Sequence, residues 1–364
     1  MVRLRTAVIG VGHLGKEHAR ILAGLPEVEL VGVADVNAEQ AQSVARRLGC
    51  RAYVNYRPLL QLAEAAVIAV PTTYHYAVAS DFLHCGIPLL VEKPLATTLD
   101  EAEKLVELAQ RHQVLLQVGH IERFNPALEE LERYHVQPKF VECLRQGPFT
   151  GRSTNIGVVL DLMIHDLDVL LSLVQAPVRS VEALGVSVFG GHEDVANVRL
   201  TFTTGCVANL TASRASMAPQ RKMHIWAPEG YAAIDFAKRQ LTVIQPSPQV
   251  RKHGLELRKL DPASRAMFKD ELFGRHLQVH HQECNSSRDQ LTTELQHFVS
   301  CVQNGHRPRV TGKAGRDALA LASRILQSIA CHQWDGHASG AVGPLHLPEP
   351  ISQFFQPPAR DAAA

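Results

Sequence analysis

The 364-residue sequence carries almost no charge imbalance: 37 lysines and arginines offset 36 aspartates and glutamates to a formal +1. Neither a basic run nor an aromatic ladder compensates, so a nucleic-acid backbone is a poor partner. No apolar run approaches the ~20 residues that span a bilayer, and the chain enters a strand-like segment at once rather than a signal peptide, so no membrane role is expected. Cysteine is scarce and scattered. The seven residues (Cys50, Cys85, Cys143, Cys206, Cys284, Cys301, Cys331) include no C-x-x-C pair, which is the usage of reduced thiols in a cytoplasmic protein.

What is present is a chain too long for one hydrophobic core, so two domains are expected. Thr6-Ala7-Val8-Ile9 is a β-rich run followed by Gly10-Val11-Gly12-His13-Leu14-Gly15 and then a helical pattern. Glycines at this spacing between strand and helix permit the tight turn, the approach of a pyrophosphate to the backbone, and close helix packing. Phosphates would then rest on the amides and positive dipole end of the helix. The next strand, Val28 to Ala34, ends on Asp35, which is placed to accept hydrogen bonds from an adenosine ribose and to repel a 2′-phosphate. NAD is therefore favoured over NADP. The bland reading of Asp35 is a cap for the helix starting near Ala38.

Strand and helix go on alternating. The strand Ala66 to Val70 runs into Pro71-Thr72-Thr73-Tyr74-His75, and the strand Leu89 to Val91 into Glu92-Lys93-Pro94. Strands of a parallel sheet end on one edge, so Gly10, Asp35, Pro71 and Lys93 should share it. A lysine at the mouth of a buried strand is a candidate for catalysis, although a surface lysine just past a strand end is the ordinary alternative. The strand Val114 to Gly119 closes this α/β domain, a doubly wound parallel sheet over residues 1–120.

Residues 121–335 read as an α+β domain. After His120-Ile121-Glu122-Arg123-Phe124-Asn125-Pro126, the loop arginines Arg145 and Arg152 are candidates, with Arg123 and Asn125, for contacting an anionic substrate. Asp161 and His165 stand four apart at the start of an apolar helix, one face bearing both, so the carboxylate can orient an imidazole base; Asp168 follows by three. Serial strands from Val181 to Ile244 suggest a large, mostly antiparallel sheet with one face open to a subunit partner. Residues 245–288 read as an insertion or flexible loop. Its His276, His280, His281 and Cys284 fall at helical spacing, but no acid or second cysteine completes a metal-ligand set, so no metal is expected. Two amphipathic helices follow, and residues 336–364, rich in Gly, Pro and Ala, are expected to be a disordered tail.

With these motifs in hand the chain resembles the glucose-fructose oxidoreductase and inositol dehydrogenase (Gfo/Idh/MocA) family. The matching residues are the glycine motif, the Pro71 to His75 loop, Glu92-Lys93-Pro94, Arg123-Phe124-x-Pro126, Asp161-x-x-x-His165-x-x-Asp168 and the closing helix pair. Within the family, the segments Gly119 to Pro126 and Asp161 to Asp168 look most like those of the UDP-N-acetylglucosamine 3-dehydrogenases. The resemblance implies a Rossmann domain binding NAD through Gly10, Gly12, His13, Leu14, Gly15, Asp35, Pro71, His75, Glu92 and Lys93. It also implies catalysis in which Lys93 polarises the substrate hydroxyl, His165 accepts its proton, and Asp161 orients His165 or neighbouring substrate groups. The substrate would be a UDP-sugar oxidised at its 3-hydroxyl, with a pyridoxal-phosphate aminotransferase consuming the ketone for a modified lipid A. A homodimer or homotetramer through the second sheet is the family habit. The alternatives are a dehydrogenase of a free polyol or sugar, and a dinucleotide-binding sensor without turnover. One departure from the family pattern is that the glycine-rich run before the aspartate is reduced to Ile156-Gly157-Val158-Val159-Leu160.

Overall fold

The computed structural model describes residues 3–151, 156–189, 191–254, 261–284, 289–334 and 340–345. Its first half alternates β1 (Leu4–Ile9), α1 (Gly15–Gly24), β2 (Val28–Ala34), α2 (Ala38–Leu48), β3 (Arg51–Tyr53), β4 (Ala65–Ile68), α3 (His75–His84), β5 (Leu89–Glu92), α4 (Leu99–Arg111) and β6 (Leu116–Gly119). The six strands pair in parallel in the order β3-β2-β1-β4-β5-β6. Unbroken apolar runs explain this, because a parallel sheet covered on both faces buries every residue. All of Ala65 to Ile68 and Leu89 to Val91 are fully buried. Local chemistry sets the helix ends. Asn37 caps α2 through the amide of Gln40, Gly49 ends it at φ +69°, and Thr98 with Glu101 forms a reciprocal capping box on α4. The short β3 has no apolar alternation, and sequence reading passes over it.

The second half adds α5 (Pro126–Leu131), β7 (Phe140–Gln146), α6 (Ile164–Val174), β8 (Val178–Val186), β9 (Val195–Phe202), β10 (Val207–Ser213), β11 (Gln220–Ala227), β12 (Gly230–Asp235) and β13 (Gln240–Pro246). After these come α7 (Pro248–His253), α8 (Pro262–Glu271), β14 (Leu277–Glu283), α9 (Gln290–Asn304) and α10 (Gly312–Ala330). Eight strands form one sheet in the order β14-β13-β12-β11-β7-β10-β9-β8. It is antiparallel except for the parallel pair β7 and β10. Period-two alternation drives it: Ala196, Val198, Leu200 and Phe202 of β9 face the core, while Asn197 and Arg199 face outward.

The two sheets are tied by the last helices. Leu295, Phe298 and Val299 of α9 enter the core of the first sheet beside Val8, Leu22 and Leu90. Helix α10 serves both cores, Leu319 packing with Val118 and Ile325 with Val198. A Cβ at Gly315 would come within 2.5 Å of Val118, so a glycine is needed for this approach. The carboxyl edge of the first sheet is thereby held opposite α6.

Three expectations are corrected here. Residues 245–288 are not merely a loop: they supply α7, α8 and β14, which completes the sheet edge by pairing with β13. Of the histidines in the metal reading, His280 and His281 lie on β14, where neighbouring side chains point apart, and His276 ends the short π-helical turn before it. His280 meets the Tyr134 ring at 6.1 Å, and His281 Nδ1 lies 2.9 Å from Thr242 Oγ1. Among the described residues no group of three or more His, Cys, Asp or Glu could hold a metal ion. Within the supposed tail, residues 340–345 are docked: Ser187 donates to Pro344 O at 2.9 Å and Trp334 Nε1 to Gly343 O at 3.0 Å. The remainder of that tail lies outside the described residues.

Candidate active site

The glycine loop opens the site. Gly10 stands at φ +83°, and a Cβ there would lie 2.6 Å from Ala69 O; a Cβ at Gly15 would collide with Gly10 O at 1.8 Å. Gly12 faces open space, with nothing within 4 Å of where its Cβ would stand. Two glycines are thus required by packing, and the second leaves backbone bare where a pyrophosphate can approach. His13 and Leu14 lead into α1, with Leu14 at its N-cap. Asp35, at the end of β2, accepts the Val11 amide at 2.8 Å and the Asn37 amide at 2.9 Å, fastening the glycine loop to the neighbouring strand. Asn37, and not Asp35, is the cap of α2. A largely apolar cleft lined by Gly10, Ala34, Asp35, Val70, Pro71 and Tyr74 lies beside it. A flat adenosine with a polar ribose fits these walls.

The Pro71 to His75 loop is pinned from within. His75 is buried, Nδ1 2.9 Å from Pro94 O and Nε2 2.9 Å from Val70 O, so one ring spans the loop and the lysine turn. Burial lowers its pKa against the pull of those carbonyls. Glu92 is also internal. His18, on α1, lies 2.6 Å from Glu92 Oε1 through Nε2. Burial raises the Glu92 pKa, but the hydrogen bond from His18 and the charges of His18 and Lys93 outweigh it, and the carboxyl sits below its ordinary range. Gly119 makes room for this acid, since a Cβ would lie 2.9 Å from Glu92 Oε2. Pro71 borders the cleft, while His75 and Glu92 support its floor from inside.

Lys93 crosses the cleft. Its Nζ donates to Asp161 O at 2.7 Å and lies 3.4 Å from Asp161 Oδ1. The expected Asp161–His165 partnership is therefore corrected. Val159–Met163 is a π-helical turn ahead of α6, which breaks the four-residue register assumed from the sequence and turns Asp161 to the lysine. His165 instead meets the His120 ring edge-on at 6.1 Å. Burial, followed by the charges of Lys93 and Arg145, drives its pKa well below the imidazole value. A neutral imidazole beside an ammonium is set to receive a proton. The shortened glycine run has its own support, for Gly157 lies against Glu193, whose carboxylate accepts the Val159 amide at 3.1 Å.

The substrate-contact arginines fare differently. Arg145 is not a loop residue: it lies on β7, buried, with Asp166 at 2.7 and 2.8 Å and Glu122 at 2.8 Å. Burial opposes its charge, but the two carboxylates raise its pKa and keep it ionised. Asn125 is likewise structural, fully buried, capping α5 and donating to Phe236 O at 3.0 Å. Arg123 Nη1 lies 3.6 Å from Asp168 Oδ1 and borders a separate pocket with Arg309 and Lys313. Arg152 lies outside the described residues. Sequence reading missed Arg221, exposed at the inner end of β11 and 4.0 Å from Glu122 Oε1, whose charge also acts on His165. Its signal was the alternation that places it on the same strand face as Met223 and Ile225. It also missed His18, a polar residue on the buried face of α1.

Comparison with known proteins identifies the family. Residues 4–120 match the oxidoreductase family with an NAD-binding Rossmann fold, and residues 133–233 match the GFO/IDH/MocA C-terminal domain. The chain is 36% identical over 338 residues to a UDP-N-acetylglucosamine 3-dehydrogenase of Acidithiobacillus ferrooxidans, covering 90% of this chain and 98% of that protein. A solved structure of such an enzyme from that organism superposes with a TM-score of 0.78 at 34% identity, over 90% of this chain and 98% of the other. The scyllo-inositol 2-dehydrogenase (NAD(+)) of Bacillus subtilis is 26% identical across 85% of this chain and 89% of its own. The chain belongs to the GFO/IDH/MocA oxidoreductase family and is an NAD-dependent dehydrogenase of sugar-type hydroxyl groups.

Proposed function

We propose that the protein oxidises the 3-hydroxyl of UDP-N-acetylglucosamine to the 3-keto sugar. The observation that carries this reading is the near full-length likeness to an enzyme of that name, coupled with the contact of Lys93 and Asp161 across the cleft. When bound, NAD supplies the hydride acceptor. Lys93 then holds the hydroxyl oxygen and stabilises its developing negative charge, while Asp161 fixes the lysine by its backbone carbonyl and carboxylate. His165, kept neutral by burial, takes the hydroxyl proton. With Arg145 committed to internal ion pairs, Arg221 is the cation we assign to the diphosphate.

The outer face of the second sheet stacks Phe140 on Trp226 at 5.0 Å and sets Trp226 against Tyr231 at 5.2 Å. That aromatic patch supports assembly through this face into a homodimer or homotetramer, which light scattering of wild type and Trp226→Asp tests. Among the described residues no helix is long and apolar enough to cross a membrane. All seven cysteines are free thiols, which supports a cytoplasmic location. A pyridoxal-phosphate aminotransferase, as in lipid A-type biosynthesis, is the consumer we propose for the ketone.

The commitment of Arg145 also favours a second reading, a free polyol as substrate, because it removes one expected diphosphate ligand. Incubation with NAD and a panel of UDP-sugars and inositols, an aminotransferase trapping the ketone, separates the two by the absorbance of reduced nicotinamide. Signal with UDP-N-acetylglucosamine is expected; signal with inositols alone would replace the first reading by the second.

A further inference from the structure

Next to the reaction centre lies a knot of buried polar groups that hydride transfer does not use. His120 is 1% exposed, and neither of its ring nitrogens has a hydrogen-bond partner. Nδ1 of His165, whose ring it meets edge-on, is also unpartnered. Asp168 is 2% exposed; one oxygen faces Arg123 and the other has no partner. Glu294, on α9, is fully buried with both carboxyl oxygens unbonded. An unsatisfied buried polar atom is destabilising, and such atoms are few in folded proteins. The two imidazoles meet edge-on, and the charge of Asp168 acts on both His120 and Glu294, which makes one buried polar group of the four. Asp168, moreover, forms part of the wall of the surface pocket shared by Arg123, Ser172, Gln175 and Lys313.

We propose that His165, His120 and Asp168 form an internal path carrying the substrate proton from the reaction centre to that pocket, with Glu294 holding a proton beside it. In the forward step the carbinol C–H bond breaks and its electron pair leaves as hydride to the nicotinamide ring. The carbon–oxygen double bond forms as the hydroxyl proton passes to His165. His165 gives its Nδ1 proton to one nitrogen of His120, His120 gives the proton on its other nitrogen to the unpartnered oxygen of Asp168, and Asp168 loses it to water in the pocket. Each residue returns to its starting charge, with both imidazoles left as the opposite tautomer until a proton exchange or ring flip resets them, and the sum is a ketone, reduced nicotinamide and one released proton. A bridging water spans a gap wider than a hydrogen bond.

The charges around the path suit it. Burial lowers the pKa of His120, with Asp168 and Glu92 opposing and Lys93 and Arg123 reinforcing that shift. His165 is lowered further by burial, Lys93, Arg145, His120 and Arg221. Glu294 is raised well above its ordinary value by burial and by Glu92 and Asp168. Burial thus favours the neutral form of both imidazoles and the protonated form of the acid. The proton can leave while cofactor and sugar fill the front of the cleft.

This path rests on His165 being the base, so the test separates the two claims. His120→Phe keeps a ring and removes both nitrogens; His120→Gln keeps polar packing but cannot relay. With whichever sugar reduces NAD, both variants are expected to lower kcat about tenfold or more, leave KM for NAD unchanged, enlarge the solvent deuterium effect on kcat, and respond to added imidazole. An infrared difference spectrum of wild type minus Glu294→Gln, taken without substrate, is expected to show the carbonyl stretch of an undissociated carboxylic acid. Unchanged kcat and isotope effect in the His120 variants, beside an inactive His165→Ala, would overturn the path alone. Normal turnover in His165→Ala would overturn the base and the path together, and absence of the infrared band would remove Glu294 from it.

Discussion

Lys93 and Arg145 look alike in the sequence, each a cation near the end of an apolar strand, and the fold gives them opposite work. Lys93 directly follows β5, with its side chain 14% exposed and one partly open partner, Asp161, at 25%. Arg145 lies in β7, only 4% exposed, locked between Asp166 and Glu122 at 4% each. The lysine has donors left over and a cleft to place them in. The arginine has its charge matched by neighbours that water cannot reach, so its work is to hold β7, α6 and the turn after β6 together. Charge marks both positions in the sequence; only available donors separate a cation free to act from one held by its neighbours.

The contrast breaks most sharply at the lysine. Lys93→Met is expected to lower kcat by about 10³-fold while NAD affinity, followed by calorimetry, stays within about threefold. Loss of NAD binding instead would place Lys93 with the cofactor rather than the hydroxyl. Arg145→Ala should act on the fold: leaving Asp166 and Glu122 buried without a counter-charge costs about 3–5 kcal/mol, read as a lowered denaturation midpoint. A variant as stable as wild type with a raised KM for sugar would restore Arg145 to the substrate.

Arg221→Ala sharpens the comparison from the exposed side. We expect KM for a UDP-sugar to rise about tenfold, with thermal stability and KM for NAD unchanged. The smallest effect is in pH. His165 is lowered by burial first and by neighbouring cations second, so it stays able to accept a proton below the ordinary imidazole pKa of about 6.5. The acid limb of kcat/KM should therefore lie below that value, and Arg221→Ala should move it slightly upward. The same sign governs stability: the unfolded chain takes up a proton that folded His165 refuses, so stability is full above about pH 6.5 and declines as pH falls further. An acid limb above the ordinary imidazole value would contradict the neutral base.

On the cofactor side much is legible from the sequence. Gly10, Gly15, Asp35 and Pro71 lie together because a parallel sheet puts all its carboxyl ends on one edge, a rule that needs only strand order. On the substrate side the same kind of reading fails at particular residues. Arg145 reads as a loop residue because β7 runs two residues further than its apolar pattern. Asn125 reads as a substrate contact, yet its position before Pro126 is that of a helix cap. The Asp161–His165 pair rests on helical spacing that a π-helical turn cancels, and nothing in the local sequence announces that turn.

The sequence by itself determined the alternating strands and helices, the glycine loop, the NAD edge and the presence of Lys93 on it, because these follow from apolar periodicity and from steric demands between near neighbours. Only the tertiary structure decided which charges are free to act. That depends on contacts between residues far apart in the chain: Lys93 with Asp161, Arg145 with Asp166, His18 with Glu92, His120 with His165. Burial then sets whether each charge is matched, shifted or left available, and burial is a property of the packed whole.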